Sequence, residues 1–154
     1  MANQEKEYSI SIYRDKKNTI LIIPDSFDEN GVRRELNKPK IIEMPYDLES
    51  IGSNVKDCFY ICVNNSFQSQ KSAVKVYEIA TGVKSWSKFF KDRISVWGEL
   101  DLKKGYNFAP FKKSQNSSYA PFSNDISFKV NLDADYKTIG EAVLKAFDYI
   151  TNNS

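Results

Sequence analysis

The chain contains no histidine. That removes the commonest general base near neutral pH, and with it every Ser-His-Asp and Cys-His nucleophile arrangement. Only two thiols are present, Cys58 and Cys62. They sit one helical turn apart, and without histidine or a second cysteine pair a closed zinc site would need carboxylates to complete it. Two small core residues is the simpler reading, and a disulfide at that spacing inside a helix would be strained. Glycine is scarce, and no GxxxxGK[ST] or GxGxxG pattern occurs to cradle a phosphate. No apolar run approaches the ~20 residues of a membrane helix. The opening MANQEKEYSIS lacks the basic segment and apolar stretch of a secretory signal. These absences predict a cytoplasmic protein with no membrane partner. The net charge is only +2, which argues against a nucleic-acid binder and against an acidic mimic of DNA.

What is present is an internal repeat. Asp47 to Ser66 reads DLESIGSNVKDCFYICVNNS, and Asp135 to Ser154 reads DYKTIGEAVLKAFDYITNNS. Laid together without a gap, Asp47/Asp135, Ile51/Ile139, Gly52/Gly140, Val55/Val143, Phe59/Phe147 and the closing Asn-Asn-Ser are identical. Apolar rhythm alone would not also match the first Asp, the Gly after Ile and the last three residues. Both copies place apolar residues at spacings of three and four, which predicts two amphipathic helices. Asp47 and Asp135 are N-caps by position. Asn-Asn-Ser is an exit, since Asn tolerates the left-handed conformation that ends helices. Gly52 and Gly140 lie on the apolar stripe at a cost of about 1 kcal/mol each against Ala. Their expected use is to let a sheet or the other helix approach closely.

At 154 residues and 41% apolar, the chain is one domain's worth and can bury a core. Tyr8 to Arg14 alternates as a half-buried strand, and Thr19 to Ile23 is a second strand that Pro24 should stop. Asn30-Gly31 marks a short hairpin, and Pro39 to Met44 is another strand. Phe67 to Ser72 is a polar connector between halves. Ala73 to Ile79 is strand-like. Ile94 to Leu100 and Tyr106 to Phe111 are strands, and Lys112 to Asn124 reads as a long hairpin loop. Ile126 to Leu132 alternates, with Ile126, Phe128, Val130 and Leu132 inward. Strands joined by turns form antiparallel sheet whose apolar face needs covering. The expected class is α+β: antiparallel sheets from two pseudo-repeated halves, about 7–66 and 73–154, each several strands followed by one helix, in a single domain spanning 1–154.

Carboxylates are plentiful but follow no spacing that fixes a catalytic or metal-binding pair. Asp101-Leu102-Lys103 resembles the tail of a metal-dependent nuclease motif, yet such a tripeptide arises often by chance, and a charged turn is the simpler reading. No catalytic residue, metal or cofactor is expected. The stretch Val83 to Arg93, VKSWSKFFKDR, mixes aromatics with cations. It could stack bases and neutralise phosphates, or supply core rings beneath a solvated face. A third reading is a protein-binding surface built from exposed aromatics and sheet edges.

The segment TGVKSWSKFFKDRISVWGEL, with SWSKF at Ser85 to Phe89, and the helix IGEAVLKAF at Ile139 to Phe147 resemble the immunity proteins of contact-dependent growth inhibition, the CdiI family. The resemblance covers nearly the whole chain, but only the second half is specific. It implies a cytoplasmic binding protein, not an enzyme, that neutralises the C-terminal toxin domain of a cognate CdiA. In part of the family that toxin is a nuclease, and a toxin hairpin extends the immunity protein's sheet. It also implies a fold like that of the Whirly single-strand DNA binders. Contact residues vary with the toxin and do not carry over. Trp86, Lys88, Trp97, Glu99, Tyr106 and Lys112 are the candidate partner-binding residues, because they are of the aromatic and charged types that dominate interfaces. Single-stranded nucleic-acid binding is the alternative function.

Overall fold

The computed structural model describes residues 8–27, 30–65 and 75–154. In chain order its strands are β1 (Tyr8–Asp15), β2 (Ile20–Phe27), β3 (Arg33–Glu35) and β4 (Lys40–Ile42), followed by helices α1 (Leu48–Asn64), α2 (Val76–Thr81) and α3 (Trp86–Lys91). Then come β5 (Arg93–Asp101), β6 (Gly105–Ser114), β7 (Ser118–Pro121), β8 (Phe128–Val130) and α4 (Tyr136–Asn152). Among the described residues one curled antiparallel sheet of eight strands runs β3-β2-β1-β5-β6-β7. β4 also pairs with β2, and β8 with β6.

The two halves are built alike. β1 pairs with β2, and β2 carries both β3 and β4 on its far edge. β5 pairs with β6 in the same way, and β6 carries β7 and β8. The halves join through β1 and β5, with Ser11 opposite Trp97. α1 and α4 occupy matching places at the end of each strand set, so the sequence repeat is a structural one.

The helix pair explains the repeated residues. Asp47 accepts from the Ser50 N–H at 2.7 Å and Asp135 from the Thr138 N–H at 2.8 Å, so both carboxylates cap the first turn. A Cβ placed on Gly52 would fall on the carbonyl of Tyr136, and one on Gly140 would fall on the carbonyl of Leu48. Each glycine therefore seats the first turn of the other helix, a reciprocal contact that only a residue without a side chain permits. The ends differ from expectation. Asn65 and Asn153 have φ of −117° and −121°, not left-handed. They close the helices through their side-chain amides, which donate to the carbonyls of Ile61 and Tyr149, each at 2.8 Å.

Ile10, Ile12, Ile20, Ile22, Val96 and Phe108 line the sheet face under α1 and α4, and with Ile51, Val55, Phe59, Ile139, Val143 and Phe147 they form the main core. Cys58 and Cys62 belong to it, both fully buried with free thiols that burial pushes up to about 12. The Cys62 thiol donates to the carbonyl of Ser9. Part of the opposite sheet face is covered as well. Tyr13, Leu21 and Ile23 meet Val76, Tyr77 and Phe89 of α2 and α3 in a second, smaller core.

Several expectations are corrected. The part of Ala73–Ile79 that is described folds as helix: Val76 and Tyr77 are adjacent and both buried, Ile79 is exposed, and Gly82 in the left-handed region (φ 74°) stops the helix. Strand alternation would have required Val76 and Tyr77 on opposite faces. The expected connector 67–72 lies outside the described residues. Pro24 does not end β2. Its position falls where β2 passes from β4 to β3. The Pro24 carbonyl accepts from the Leu36 N–H at 2.8 Å, and the Leu36 carbonyl, which an N–H at position 24 would otherwise serve, accepts from the Lys38 N–H instead. Pro110 occupies the same position in β6, between the stretch paired with β8 and that paired with β7. Lys112–Asn124 is not a long loop. β6 continues to Ser114, and a 3-10 turn at Gln115–Ser117 leads into β7, with Asn116 (φ 65°) and Ser117 (φ 53°) making the reversal. The hydroxyls of Ser114 and Ser118 close it at 2.7 Å. Leu132, expected inward, lies past the end of β8 and is exposed.

Candidate partner-binding surface

Alternation along β5 sends Val96, Gly98 and Leu100 toward α1 and α4, and sends Ser95, Trp97, Glu99 and Asp101 to the other face. β6 sets Asn107 beside Glu99 and Ala109 beside Trp97. The tip of this hairpin, 101–105, is held by Asp101. Its Oδ1 accepts from the N–H of Lys103 at 2.8 Å and of Lys104 at 3.2 Å. Those bonds hold its carboxyl below the usual carboxylate range. Asp101 is thus a turn cap. No group of three or more acidic or thiol side chains able to hold a metal occurs among the described residues.

On the outer face the Trp97 Nε1–H donates to Glu99 Oε1 at 2.8 Å. The indole lies parallel to Phe111 at 6.0 Å, and the Arg33 guanidinium sits 5.1 Å from its ring. Glu99 then lines a cleft of about 180 Å³ with Asp101, Lys104, Tyr106, Asn107 and Lys129. Asn107 Oδ1 is buried there without a hydrogen-bond partner among the described residues. A buried acceptor left unsatisfied costs about 1–3 kcal/mol, which a bound donor would recover.

Tyr106 is itself buried, its ring parallel to Phe108 and packed on Phe59. Tyr106 also lines an apolar cavity of about 100 Å³ formed by α1, the hairpin tip and the loop after β8. Tyr60, Leu102 and Leu132 rim it, 57%, 53% and 41% exposed. Polar cleft and apolar cavity flank the β5–β6 tip on opposite faces of the hairpin, with Tyr106 lining both.

The hairpin therefore sets Trp97 and Glu99 side by side on the outer face and Tyr106 on the helix face, where only Glu99 and Tyr106 line a common cleft, and leaves Trp86, Lys88 and Lys112 apart from them. Trp86 is a second-core residue. It stacks on Phe89 (5.3 Å, 23°), meets Tyr77 and Tyr119 edge-on, and donates from Nε1 to the carbonyl of Ser117 at 2.6 Å. Lys88 is exposed on α3, where its N–H donates to the capping Ser85 hydroxyl. Lys112 is exposed near the end of β6. The sequence reading passed over Tyr60, Leu102, Leu132 and Asn107. Tyr60 lies off the apolar stripe of its helix, and Leu102 is an apolar residue inside a charged turn, so both are misfits visible in the pattern. Asn107 carries no such signal.

In the same cross-strand row as Glu99, with Ser9 of β1 between them, Asp25 is buried opposite Glu35 on β3 and accepts from the Ser9 hydroxyl at 3.1 Å. Burial first, and the nearby Glu35 second, push its carboxyl up to about 7.

No family model and no curated protein matches the chain. Solved structures do. A protein of unknown function from Neisseria meningitidis is similar with a TM-score of 0.71 at 18% identity, over 97% of this chain and 98% of that one. A chain of the CdiA-CT/CdiI toxin and immunity complex from Yersinia pseudotuberculosis is similar with a TM-score of 0.72 at 14% identity, over 93% of this chain and 97% of that one. At these identities the likeness is one of fold, and the fold is that of a protein taken from a toxin and immunity complex.

Proposed function

We propose that this protein is an immunity protein that binds and neutralises the C-terminal nuclease toxin domain of a cognate CdiA, protecting its own cell from contact-dependent growth inhibition. The observation that carries the reading is the end-to-end likeness of fold to a chain of the Yersinia complex, taken here as its immunity component. Residues 1–154 then form one immunity domain with halves at about 7–66 and 73–154, acting in the cytoplasm where the incoming toxin acts. Its work is binding, not catalysis. The β5–β6 tip suits a protein partner that grips it from both sides: it offers an apolar cavity on the helix face and a polar cleft with a buried acceptor on the other. The single-stranded nucleic-acid reading is the weaker one, because the rings it would stack bases on, Trp86 and Phe89, are stacked on each other.

The test is co-purification of the chain with the toxin domain encoded immediately upstream, together with survival of cells that express both. A stable complex and protection are expected. A toxin that neither binds the chain nor is blocked by it would overturn the reading.

A further inference from the structure

A different end of the sheet gathers positive charge. The β1–β2 turn, the junction of α3 with β5, and the end of β6 enclose an open cleft of about 290 Å³ lined by Arg14, Lys16, Lys91, Arg93 and Lys113. Only two carboxylates, Asp15 and Asp92, share it. Asp15 is engaged: its Oδ1 accepts from the N–H groups of Lys17 and Thr19 at 2.9 and 3.0 Å to hold the turn. Asp92 faces Lys16 at 3.7 Å across an exposed, weak ion pair.

Three of these cations rest against rings, Arg14 toward α4 and Arg93 and Lys113 toward α3 on the other side of the sheet. The Arg14 guanidinium lies 4.7 Å from the Phe147 ring, and that of Arg93 lies 4.3 Å from the Phe89 ring. Lys113 Nζ donates to the carbonyl of Lys91 at 2.7 Å and sits 5.2 Å from the Phe90 ring. Partial burial and the neighbouring Lys16 disfavour its protonated form, with Asp92 acting the other way.

We propose that this cleft binds a small, multiply charged phosphate-type anion, with pyrophosphate as the probe. Three more cations than carboxylates favour a multiply charged group over a lone carboxylate. The open cleft has room for a pyrophosphate, and the rings of Trp86 and Phe89, which lie outside its lining, are packed on each other and offer no platform for a base. The site lies away from the β5–β6 tip and is independent of the immunity reading.

The test titrates pyrophosphate into the full chain at low ionic strength and follows backbone amide shifts by NMR. Saturable shifts confined to 15–18, 91–94 and 113 are expected. Lys113→Gln should weaken the affinity about tenfold, the loss of one charge-assisted contact, while Lys137→Gln on α4 should leave it unchanged. The wild-type shift map reads the site even if Lys113→Gln folds poorly. Absence of saturation at millimolar pyrophosphate, or equal weakening by both substitutions, would overturn the proposal. So would a single-stranded oligonucleotide that displaces pyrophosphate with affinity rising with its length and falling steeply with salt, since the ligand would then be a polyanion.

Discussion

Gly52 and Gly140 show how much one hydrogen in place of a methyl can govern. Each faces a backbone carbonyl of the opposing helix, which has no rotamer to move aside. Gly52→Ala and Gly140→Ala gain helix propensity of about 1 kcal/mol but force α1 and α4 apart, and overpacking of this kind costs about 1–3 kcal/mol or more. Both variants should therefore unfold at lower denaturant than the parent, the reverse of an ordinary helix-interior Gly→Ala. Asp25 gives a second test, through pH. Its folded carboxyl titrates at about 7, above the ordinary 3.8, so the native state holds a proton that the unfolded chain gives up. Stability is therefore highest below about pH 4 as far as this group is concerned, and falls as pH rises through 7, by a few kcal/mol at most, roughly three pKa units at 1.36 kcal/mol each. Urea midpoints measured from pH 4 to 8 should show that decline. Asp25→Asn, which keeps an acceptor for the Ser9 hydroxyl, should flatten it. Glu35, also raised by burial, adds a slope of the same sign that the substitution leaves in place. The buried charge itself was not legible: DSFDE reads as polar and exposed, and only pairing with β1 and β3 encloses Asp25.

Among the elements, α1 and α4 and their Asp caps were legible, though not the way they end, because an amphipathic stripe and a cap are local properties. α2 and α3 were not. They are short, and their character comes from the second core they cover. Phe89 is fully buried between Tyr13, Tyr77 and Trp86. Phe89→Ala should cost about 3–5 kcal/mol, measured by equilibrium unfolding, a loss out of proportion to a six-residue helix that only decorated the surface. The aromatic density of VKSWSKFFKDR was visible from the start; whether those rings face a ligand or each other depends on Tyr13, Leu21 and Tyr119 from distant strands. The prolines carried a signal that went unread. Pro24 and Pro110 stand at equivalent places, each where a long strand passes from one outer neighbour to the next. There a missing N–H does the least harm to the ladder.

For the molecule as a whole, the twofold repeat organises the sheet, and departures from it mark the candidate site. The β5–β6 tip carries Leu102 in the open, beside Tyr60 and Leu132. Leu102→Asp should shift unfolding by no more than about 0.5 kcal/mol, since the side chain is half exposed. The same change should weaken the complex with the toxin at least tenfold if this surface is the interface, read by titration calorimetry. An unchanged affinity would move the interface elsewhere while leaving the fold argument intact. Periodicity, capping residues and the matched Asp-Ile-Gly-Asn-Asn-Ser positions were enough to establish two equivalent helices and an α+β class, because these depend on neighbours within a few residues along the chain. Which polar groups became buried, which aromatics became core and which loop leucine came to rim a cavity depended on strands brought together from both halves. Burial is a property of what lies across space, and no single stretch of this chain records it.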